Sequence, residues 1–589
     1  MAVNSFREDE ELNAAEKSKI ILRLAGYLGK HFIGILVVLI TLGITVLIRL
    51  VNPLIIEEII DKYIASKDYP GLIKMGILAA VINISLVVMV KIHMYVMSLI
   101  SNRILRDIRQ ELYEHIQTLS FSFFDGRPTG KILARITGDV NSLKEVLNNA
   151  VTTLIPDFLT VIGVVVIMLA KDWRLALATL SSVPIMVLCV FGIEHISHER
   201  WQMHRKKSSN LNAYIHEDIA GIRVVQAFSA EEETRQQFGE LTKEHQSSFM
   251  DACRFADMFW PSTHFSWGIG MIALYFVGIK VLGMPEVSVG LLVAFGTYSG
   301  MFWDPIMNLS NFINQLVTNI TAAERVFEIL DMDADIVDKK DALTLPVLEG
   351  VVDFENVSFS YDDKEEVLSD VSFTVNSGET IALVGETGAG KSTIVNLISR
   401  FYDVTSGAIK IDGFDLRNVS IASLRNQMGV MMQDNFIFQG TVKENILYGR
   451  LDATDEEVVK VAKAVNAHDF IMELEDGYDT KLKERGAGLS IGQRQLIAFA
   501  RTMISNPRIL ILDEATSSID SHTELAVQRG IEALLSGRTS FVIAHRLSTI
   551  KNADRIFVVN NKGIEESGTH DELMRKHGAY YNLYMAQFS

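Results

Sequence analysis

The residues that decide the fold of the carboxyl-terminal half read GETGAGKST and occupy positions 385–393. They follow the apolar run 380–384, TIALV, so we expect a buried strand, a glycine-rich turn and then a helix. In such a turn the glycines let backbone N–H groups approach phosphates, the lysine reaches the β and γ phosphates, and the serine hydroxyl ligates Mg²⁺. The sequence therefore predicts a nucleoside triphosphate site formed by Gly385, Gly388, Gly390, Lys391, Ser392 and Thr393.

The composition indicates that one part of the chain lies in lipid and another part in water. A chain of 589 residues is too long for one ordinary domain, and 48% hydrophobic residues with a mean hydropathy of +0.21 are high for a wholly soluble protein. Charged residues nevertheless make up 22% of the chain. The formal net charge of -17 argues against a nucleic-acid-binding surface, which needs clustered lysine and arginine. No nucleic-acid partner is therefore expected.

Six apolar segments are long enough to cross a membrane, because a span needs about 20 mostly apolar residues. About fifty polar residues with helical periodicity separate the second segment from the third and the fourth from the fifth. Both polar inserts are rich in arginine and lysine, so the positive-inside bias places them in the cytoplasm. The six segments lie near residues 32–54, 73–99, 147–170, 174–198, 259–283 and 288–317.

Three further motifs follow the phosphate loop. Residues 489–493 read LSIGQ, residues 509–514 read ILILDE, and His545 follows the apolar run 540–544. With the phosphate loop, these motifs resemble the nucleotide-binding domain of the ATP-binding cassette (ABC) family, and six spans before one such domain resemble a type IV ABC exporter half. The resemblance implies an α-helical six-span transmembrane domain over residues 1–330, a linker over 331–350 and an α/β P-loop ATPase domain over 351–589.

The resemblance also implies an ATP site with Mg²⁺ and a catalytic base. Tyr361, at the end of an alternating strand pattern, would stack on adenine. Glu514 would polarise the attacking water as general base, which indicates hydrolysis and not binding alone. His545 would contact the γ phosphate and orient that carboxylate, and Gln433 would sense the metal ion and the water. The implied catalytic residues are Glu514, His545 and Gln433, and the implied metal ligands are Ser392, Gln433 and Asp513.

The LSIGQ motif has implications for the assembly. Ser490, Gly492 and Gln493 would open a helix whose free N–H groups bind the γ phosphate held by an opposite subunit, so one such domain per chain implies a dimer. The family's usual motif has glycine where this chain has Ile491, a bulkier and stiffer residue. An altered motif beside an intact Glu514 resembles one half of a heterodimeric exporter. We therefore favour a heterodimer, with a homodimer as the alternative.

Two segments of the polar inserts resemble the intracellular coupling helices of ABC exporters. Residues 121–126, FSFFDG, interrupt the helical pattern with aromatic side chains and a turn, and residues 217–228 place apolar residues beside charges. Exposed aromatic residues at a helix break indicate a docking surface. The alternative interpretation is an ordinary turn with internal packing.

The leading functional hypothesis is ATP-driven export of a hydrophobic or amphipathic substrate, a drug or a lipid, by alternating access. The protein would be a multi-pass membrane protein with its nucleotide-binding domain in the cytoplasm. Alternatives are a homodimeric lipid flippase, a peptide exporter, an ATP-gated channel or regulatory subunit, which Glu514 disfavours, and a soluble chromosome-organising ATPase, which the spans disfavour. Ionisable residues near the spans either line the substrate path or pair near the interface, and they are Arg49, Lys91, Asp157 and Asp304.

Overall fold

The computed structural model describes residues 14–283, 286–361, 365–432, 435–513, 521–543 and 547–588. The chain forms two compact units. The first comprises Met1–Ile116 and Gly130–Asp331, and the second comprises Gln117–Thr129 and Met332–Ser589. The second unit therefore includes a short segment from the amino-terminal half in addition to the carboxyl-terminal domain.

Every regular element described before Asp331 is a helix. The long apolar runs among them suit helices because a helix satisfies its backbone hydrogen bonds within itself, as a lipid environment requires. Pi-helical stretches at Ile59–Ile64, Arg135–Asp139, Ala150–Leu154 and Val277–Leu282 extend or join them. The helices are α1 Ala14–Gly29, α2 Phe32–Glu58, α3 Tyr69–Thr118, α4 Phe121–Asp125, α5 Thr129–Ala134, α6 Val140–Asn149, α7 Ile155–Lys171, α8 Trp173–Leu180, α9 Val183–Ala220, α10 Ile222–Ala227, α11 Glu231–Ala256, α12 Phe259–Phe276 and α13 Val289–Leu330.

The predicted membrane segments lie in these helices. In the described part of the chain, 5 helices have the length and composition needed to cross a membrane, and they are Phe32–Ile64, Tyr69–Thr118, Thr129–Lys171, Trp173–Ala220 and Glu231–Leu282. They contain the first five predicted segments, except that the fifth segment extends one residue beyond Leu282. The sixth segment, 288–317, lies in α13, a helix of 42 residues. The prediction of a helical transmembrane domain is therefore confirmed, although most of the helices extend well beyond the predicted segments.

Helices α2, α7, α8, α12 and α13 pack around one apolar core in the first unit. The Tyr298 hydroxyl donates a hydrogen bond to the carbonyl oxygen of Leu50 at 2.6 Å, so this phenol is not left unpaired in the core. Fully buried side chains of this core are Val164, Leu175, Leu274 and Phe295. This packing holds α7 and α13 side by side.

The second unit is an α/β domain, as predicted. One sheet has the order β12-β11-β3-β10-β9-β6 and is parallel except for its edge strand β12, and an antiparallel sheet has the order β2-β1-β4-β5. The strands are β1 Val352–Ser360, β2 Glu366–Val375, β3 Thr380–Val384, β4 Ser406–Ile411, β5 Phe414–Asp415, β6 Met428–Met431, β7 Gly440–Thr441, β8 Lys481–Leu482, β9 Ile509–Asp513, β10 Thr539–Ile543, β11 Arg555–Asn560 and β12 Gly563–Gly568. The helices are α14 Lys391–Ile398, α15 Ile421–Arg425, α16 Val442–Leu447, α17 Asp455–Ala464, α18 His468–Met472, α19 Ile491–Ile504, α20 Ser521–Leu535, α21 Leu547–Asn552, α22 His570–Lys576 and α23 Ala579–Phe588.

The parallel strands of this sheet end at one edge. Strand β10 lies between β3 and β9, and Ile543 pairs with Leu383 on one side and with Asp513 on the other. Strands β3, β9 and β10 are apolar runs because both of their faces are buried. Ligands of open α/β sheets bind at the carboxyl ends of the strands, so this edge is where a site is expected.

Candidate nucleotide-binding site

The glycine-rich loop connects β3 to α14 with backbone conformations that few other residues adopt. Gly385 has a φ of +155°, and a Cβ atom there would lie 2.3 Å from the carbonyl oxygen of Val559. Gly390, which caps α14, has a φ of +106°. Both positions therefore require glycine, for steric and conformational reasons. The loop leads directly into the amino terminus of α14, where free backbone N–H groups favour an anion.

Lys391 is the buried charge of this loop. Its side chain is 9% exposed, and Nζ donates hydrogen bonds to the carbonyl oxygens of Gly385 and Glu386, each at 2.7 Å. Burial lowers the pKa of Lys391, and the nearby Asp513 carboxylate opposes that shift. Asp513 is the last residue of β9. The fold therefore brings together the loop lysine and the carboxylate that the sequence predicted as a metal ligand.

The first turn of α14 presents two hydroxyl groups differently. Ser392 is exposed, whereas Thr393 is buried. Thr393 Oγ1 shares a hydrogen bond of 3.1 Å with the Tyr361 hydroxyl. The Tyr361 ring is 48% exposed and packs edge-on against Phe359 and Tyr402. Tyr361 is thus held beside the loop with part of its ring accessible.

The LSIGQ motif forms the start of α19. Ser490 is the N-cap residue, and its hydroxyl accepts a hydrogen bond from the Gln493 N–H at 3.2 Å, while Gln493 Oε1 accepts one from the Ser490 N–H at 2.9 Å. This reciprocal pair is a capping box. Ile491 is the first helical residue and is 44% exposed, and Gly492 is buried. The bulk of Ile491 therefore points away from the core, and the helix begins normally despite the missing glycine.

The three predicted catalytic residues lie outside the described residues. Gln433, Glu514 and His545 each come one or two positions after a described strand, namely β6, β9 and β10. These strands are neighbours in the sheet, and Met431 pairs with Leu512 in the parallel register. The roles of the three residues therefore remain predictions from the sequence.

Within the second unit, a contact that no local sequence pattern predicts joins the carboxyl-terminal domain to the first predicted coupling segment. Residues 121–125 form the short helix α4, and the Tyr402 hydroxyl donates a hydrogen bond to the Asp125 carboxylate. The rings of Phe121 and Phe401 lie 4.7 Å apart. Burial, together with the bond to Asp125, raises the pKa of Tyr402 well above its ordinary value. The adjacent aromatic residues Phe401 and Tyr402, shortly after α14, were the available signal in the sequence, but Asp125 lies 277 positions before Tyr402.

The same segment is also held through its serine hydroxyls. Ser120 and Ser122 donate hydrogen bonds to the Asp335 carboxylate at 2.9 and 2.5 Å. The second predicted segment, 217–228, breaks at Gly221 between α9 and α10. Its Phe228 is 80% exposed. In the described chain, therefore, one segment is packed through its aromatic and polar residues, and the other presents an aromatic residue to the surroundings.

The ionisable residues near the spans differ in their surroundings. Arg49, Lys91 and Asp304 are exposed in the single chain. Asp157, near the start of α7, is partly buried and accepts a hydrogen bond from Asn308 Nδ2 of α13 at 2.9 Å. Of the four, Asp157 is the one with a neutral polar partner inside the first unit.

Comparisons with known proteins agree with these observations. The ABC transporter transmembrane region family matches residues 35–306, and the ABC transporter family matches residues 368–517. The ATP-binding protein YfiC of Bacillus subtilis is 38% identical over 585 residues, which cover 98% of this chain and 95% of YfiC. An ATP-dependent lipid A-core flippase of Syntrophus aciditrophicus is 41% identical over 492 residues, which cover 84% of this chain and 82% of the flippase.

Further similarities extend over almost the whole length. A Staphylococcus aureus ATP-binding/permease protein named for multidrug export is 38% identical over 573 residues, 95% of this chain and 98% of that protein. A bacterial Atm1-family ABC exporter, solved with ATP bound, has a TM-score of 0.76 and 28% identity, covering 98% of this chain and 99% of that one. The chain therefore belongs to the ABC transporter family, as an exporter-type half-transporter that spans the membrane several times and hydrolyses ATP in its cytoplasmic domain.

Proposed function

We propose that this chain is one half of a dimeric exporter that moves hydrophobic or amphipathic compounds, drugs or lipids, by alternating access driven by ATP. The main support is the phosphate loop with buried Lys391 beside Asp513, in one chain with a helical transmembrane domain. Relatives named for multidrug export and for lipid A-core flipping support this range of substrates.

In the nucleotide site, the loop N–H groups and Lys391 bind the β and γ phosphates, and Tyr361 stacks on the base. Ser392, Gln433 and Asp513 hold Mg²⁺, an ion that prefers oxygen ligands and neutralises phosphate charge. The exposed Ser392 hydroxyl at the start of α14 and the Asp513 carboxylate at the end of β9 are suitable oxygen donors. Glu514 is the general base that polarises the attacking water, and His545 orients the Glu514 carboxylate.

The assembly is a heterodimer in this proposal. Ser490, Gly492 and Gln493 of one half complete the site of the other half, and Ile491 weakens the composite site to which it belongs. The intact capping box and the exposed Ile491 side chain support a change in the phosphate-facing surface and not in the fold of α19. A partner with the usual motif and without a catalytic carboxylate would give one active and one slow site.

The reconstituted protein tests this assembly. Alone, it is expected to hydrolyse ATP slowly, and a partner half should raise the turnover number by about tenfold or more, equivalent to about 1.4 kcal/mol of activation free energy. Ile491→Gly should raise the rate of the chain alone. Phosphate release in proteoliposomes measures each rate, with Glu514→Gln as the inactive control. A wild-type chain that turns over equally fast without a partner, as a stable dimer, would show that the protein is a homodimer.

We also propose that α4 is a coupling helix and that Tyr402 connects it to the nucleotide site. A continuous set of contacts supports this: Thr393 to Tyr361 by a hydrogen bond, Tyr361 to Tyr402 by ring packing at 5.0 Å, and Tyr402 to Asp125 by a hydrogen bond. Because the raised pKa keeps the Tyr402 phenol protonated, the donor is present throughout the physiological pH range. Stacking of the base on Tyr361 can therefore change the contacts that hold α4.

The variant Tyr402→Phe keeps the ring and removes only the donor. We expect nucleotide binding to change amide hydrogen exchange in residues 121–125 of the wild type, and this response to fall about twofold to tenfold in the variant, since such a bond contributes on the order of 1 kcal/mol. The KM for ATP should change much less. Asp125→Ala should give the same loss, and the double variant should lose no more. Tyr448→Phe in the same domain is the matched control, and an equal response in Tyr402→Phe and wild type would contradict the link.

A further inference from the structure

A cavity of about 160 Å³ lies between α7 and α13 in the first unit. Asp157 and Asn308 line it together with apolar side chains. Asp157 is 14 residues before Lys171, the last residue of α7, so it lies about 21 Å along the helix from that end at 1.5 Å per residue. Because the hydrocarbon layer is about 30 Å thick, the carboxylate lies at membrane depth.

The charge of Asp157 is not neutralised by a direct partner. Its bonded neighbour, Asn308, is a neutral amide, and no ion pair to Asp157 occurs among the described residues. Arg49 and Asp304 are near enough to act on it electrostatically. Their effects on Asp157 oppose each other, and a carboxylate without a direct ion pair at membrane depth is costly unless a ligand or water meets it.

The side chains that line the cavity favour an organic cation as the partner of the Asp157 carboxylate. Phe158 and Phe312 line it, and aromatic faces attract ammonium groups, above all alkylated ones. Leu154, Val161 and Pro305 make the remaining wall apolar. A hard metal ion would need six or so oxygen ligands, which such a wall does not offer. Phe158 is 65% exposed, so the cavity opens on one side and the rest of a long ligand can extend outward.

We propose that Asp157, Phe158 and Phe312 form a binding site for the ammonium group of an amphipathic organic cation. The site rests on the proposed export function and specifies one class of substrate for it. The same chemistry occurs in a cationic drug and in the headgroup of a choline or ethanolamine lipid. The alternative is a purely structural role, in which Asp157 and Asn308 only hold α7 to α13. The test below distinguishes that role from cation binding.

The test uses proteoliposomes of the full chain, with its partner half where turnover requires one. The cationic probe is trimethylammonium-diphenylhexatriene, and the uncharged parent diphenylhexatriene is its neutral counterpart. ATPase stimulation is measured against the concentration of each probe. In Asp157→Asn, which keeps the size and the bond to Asn308, the half-maximal concentration of the cationic probe should rise about tenfold or more. Asp157→Glu, which retains the negative charge, should largely retain the wild-type value.

Two further variants and a lipid assay complete the experiment. Phe158→Leu, at an exposed position, should also weaken the response to the cation selectively, and it keeps the proposal testable where Asp157→Asn folds poorly. Asp251→Asn, in the polar part of α11, is the matched neutralisation and should change nothing. Labelled phosphatidylcholine against labelled phosphatidylglycerol in a flipping assay distinguishes a lipid source from a drug.

Two results would overturn the site. If ATPase stimulation by the cationic probe were unchanged in both Asp157→Asn and Phe158→Leu, these residues would not form a cation site. Export of neutral substrates would not be contradicted by that result. An equal loss for the cationic and neutral probes would assign Asp157 to helix packing. Absence of any ATP-dependent transport in the wild type, for every probe and lipid, would instead contradict the proposed export function.

Discussion

Replacing Lys391 with methionine is expected to reduce ATP hydrolysis by at least about a hundredfold, because a preorganised cation at the β and γ phosphates is lost. Methionine has a similar length and fills the buried space of the stem, so the change removes mainly the charge and its donors. The apparent affinity for ATP should fall as well. Phosphate release and binding of a fluorescent ATP analogue measure the two effects.

The fold should survive this substitution. Burial lowers the pKa of Lys391, so the charged lysine is less stable in the folded domain than in the unfolded chain. This cost is present at any pH below the pKa that the lysine has in the unfolded chain. Removing the charge therefore relieves a desolvation cost, and the melting temperature should not drop by more than a few degrees. Lys443→Met, at an ion pair with Asp455 on the surface of the same domain, is the control and should hydrolyse ATP normally. Normal turnover in Lys391→Met would disprove the assigned role of the lysine.

Replacing Glu514 with glutamine should lower the turnover number by about 10²–10⁴-fold, the range typical of a lost general base. Glu514 follows Asp513, the end of strand β9. The amide keeps the size of the side chain but cannot accept the proton, so ATP should still bind with nearly unchanged affinity. Single-turnover hydrolysis and equilibrium nucleotide binding separate these two quantities.

The control for this change is Glu532→Gln on α20, an exposed glutamate in the same domain, which should have wild-type turnover. Persistent hydrolysis in Glu514→Gln would place the base elsewhere. If the wild-type protein bound ATP without hydrolysing it in any pairing, the ATP-gated regulatory subunit would become the better explanation.

Much of the fold and part of the site could be predicted from local patterns. The run 380–384 and the glycines after it specify a strand, a turn and a helix because each element depends on near neighbours, and the apolar segments specify membrane helices by their length. The capping of α19 by Ser490 and Gln493 is similarly local, since both residues lie within one helical turn. The roles of Gln433, Glu514 and His545 rest on the family resemblance and stay predictions.

The amino-acid sequence by itself determined the two-part architecture, the P-loop and the order of the motifs, because hydropathy, helix caps and glycine conformations act over a few residues. Only the tertiary structure decided that Tyr402 reaches Asp125 and that Asn308 bonds to Asp157, pairs separated by 277 and 151 positions. Such pairs depend on how whole helices and sheets pack, and packing is set by the summed burial of many side chains. No local pattern in the chain marks the two partners for each other.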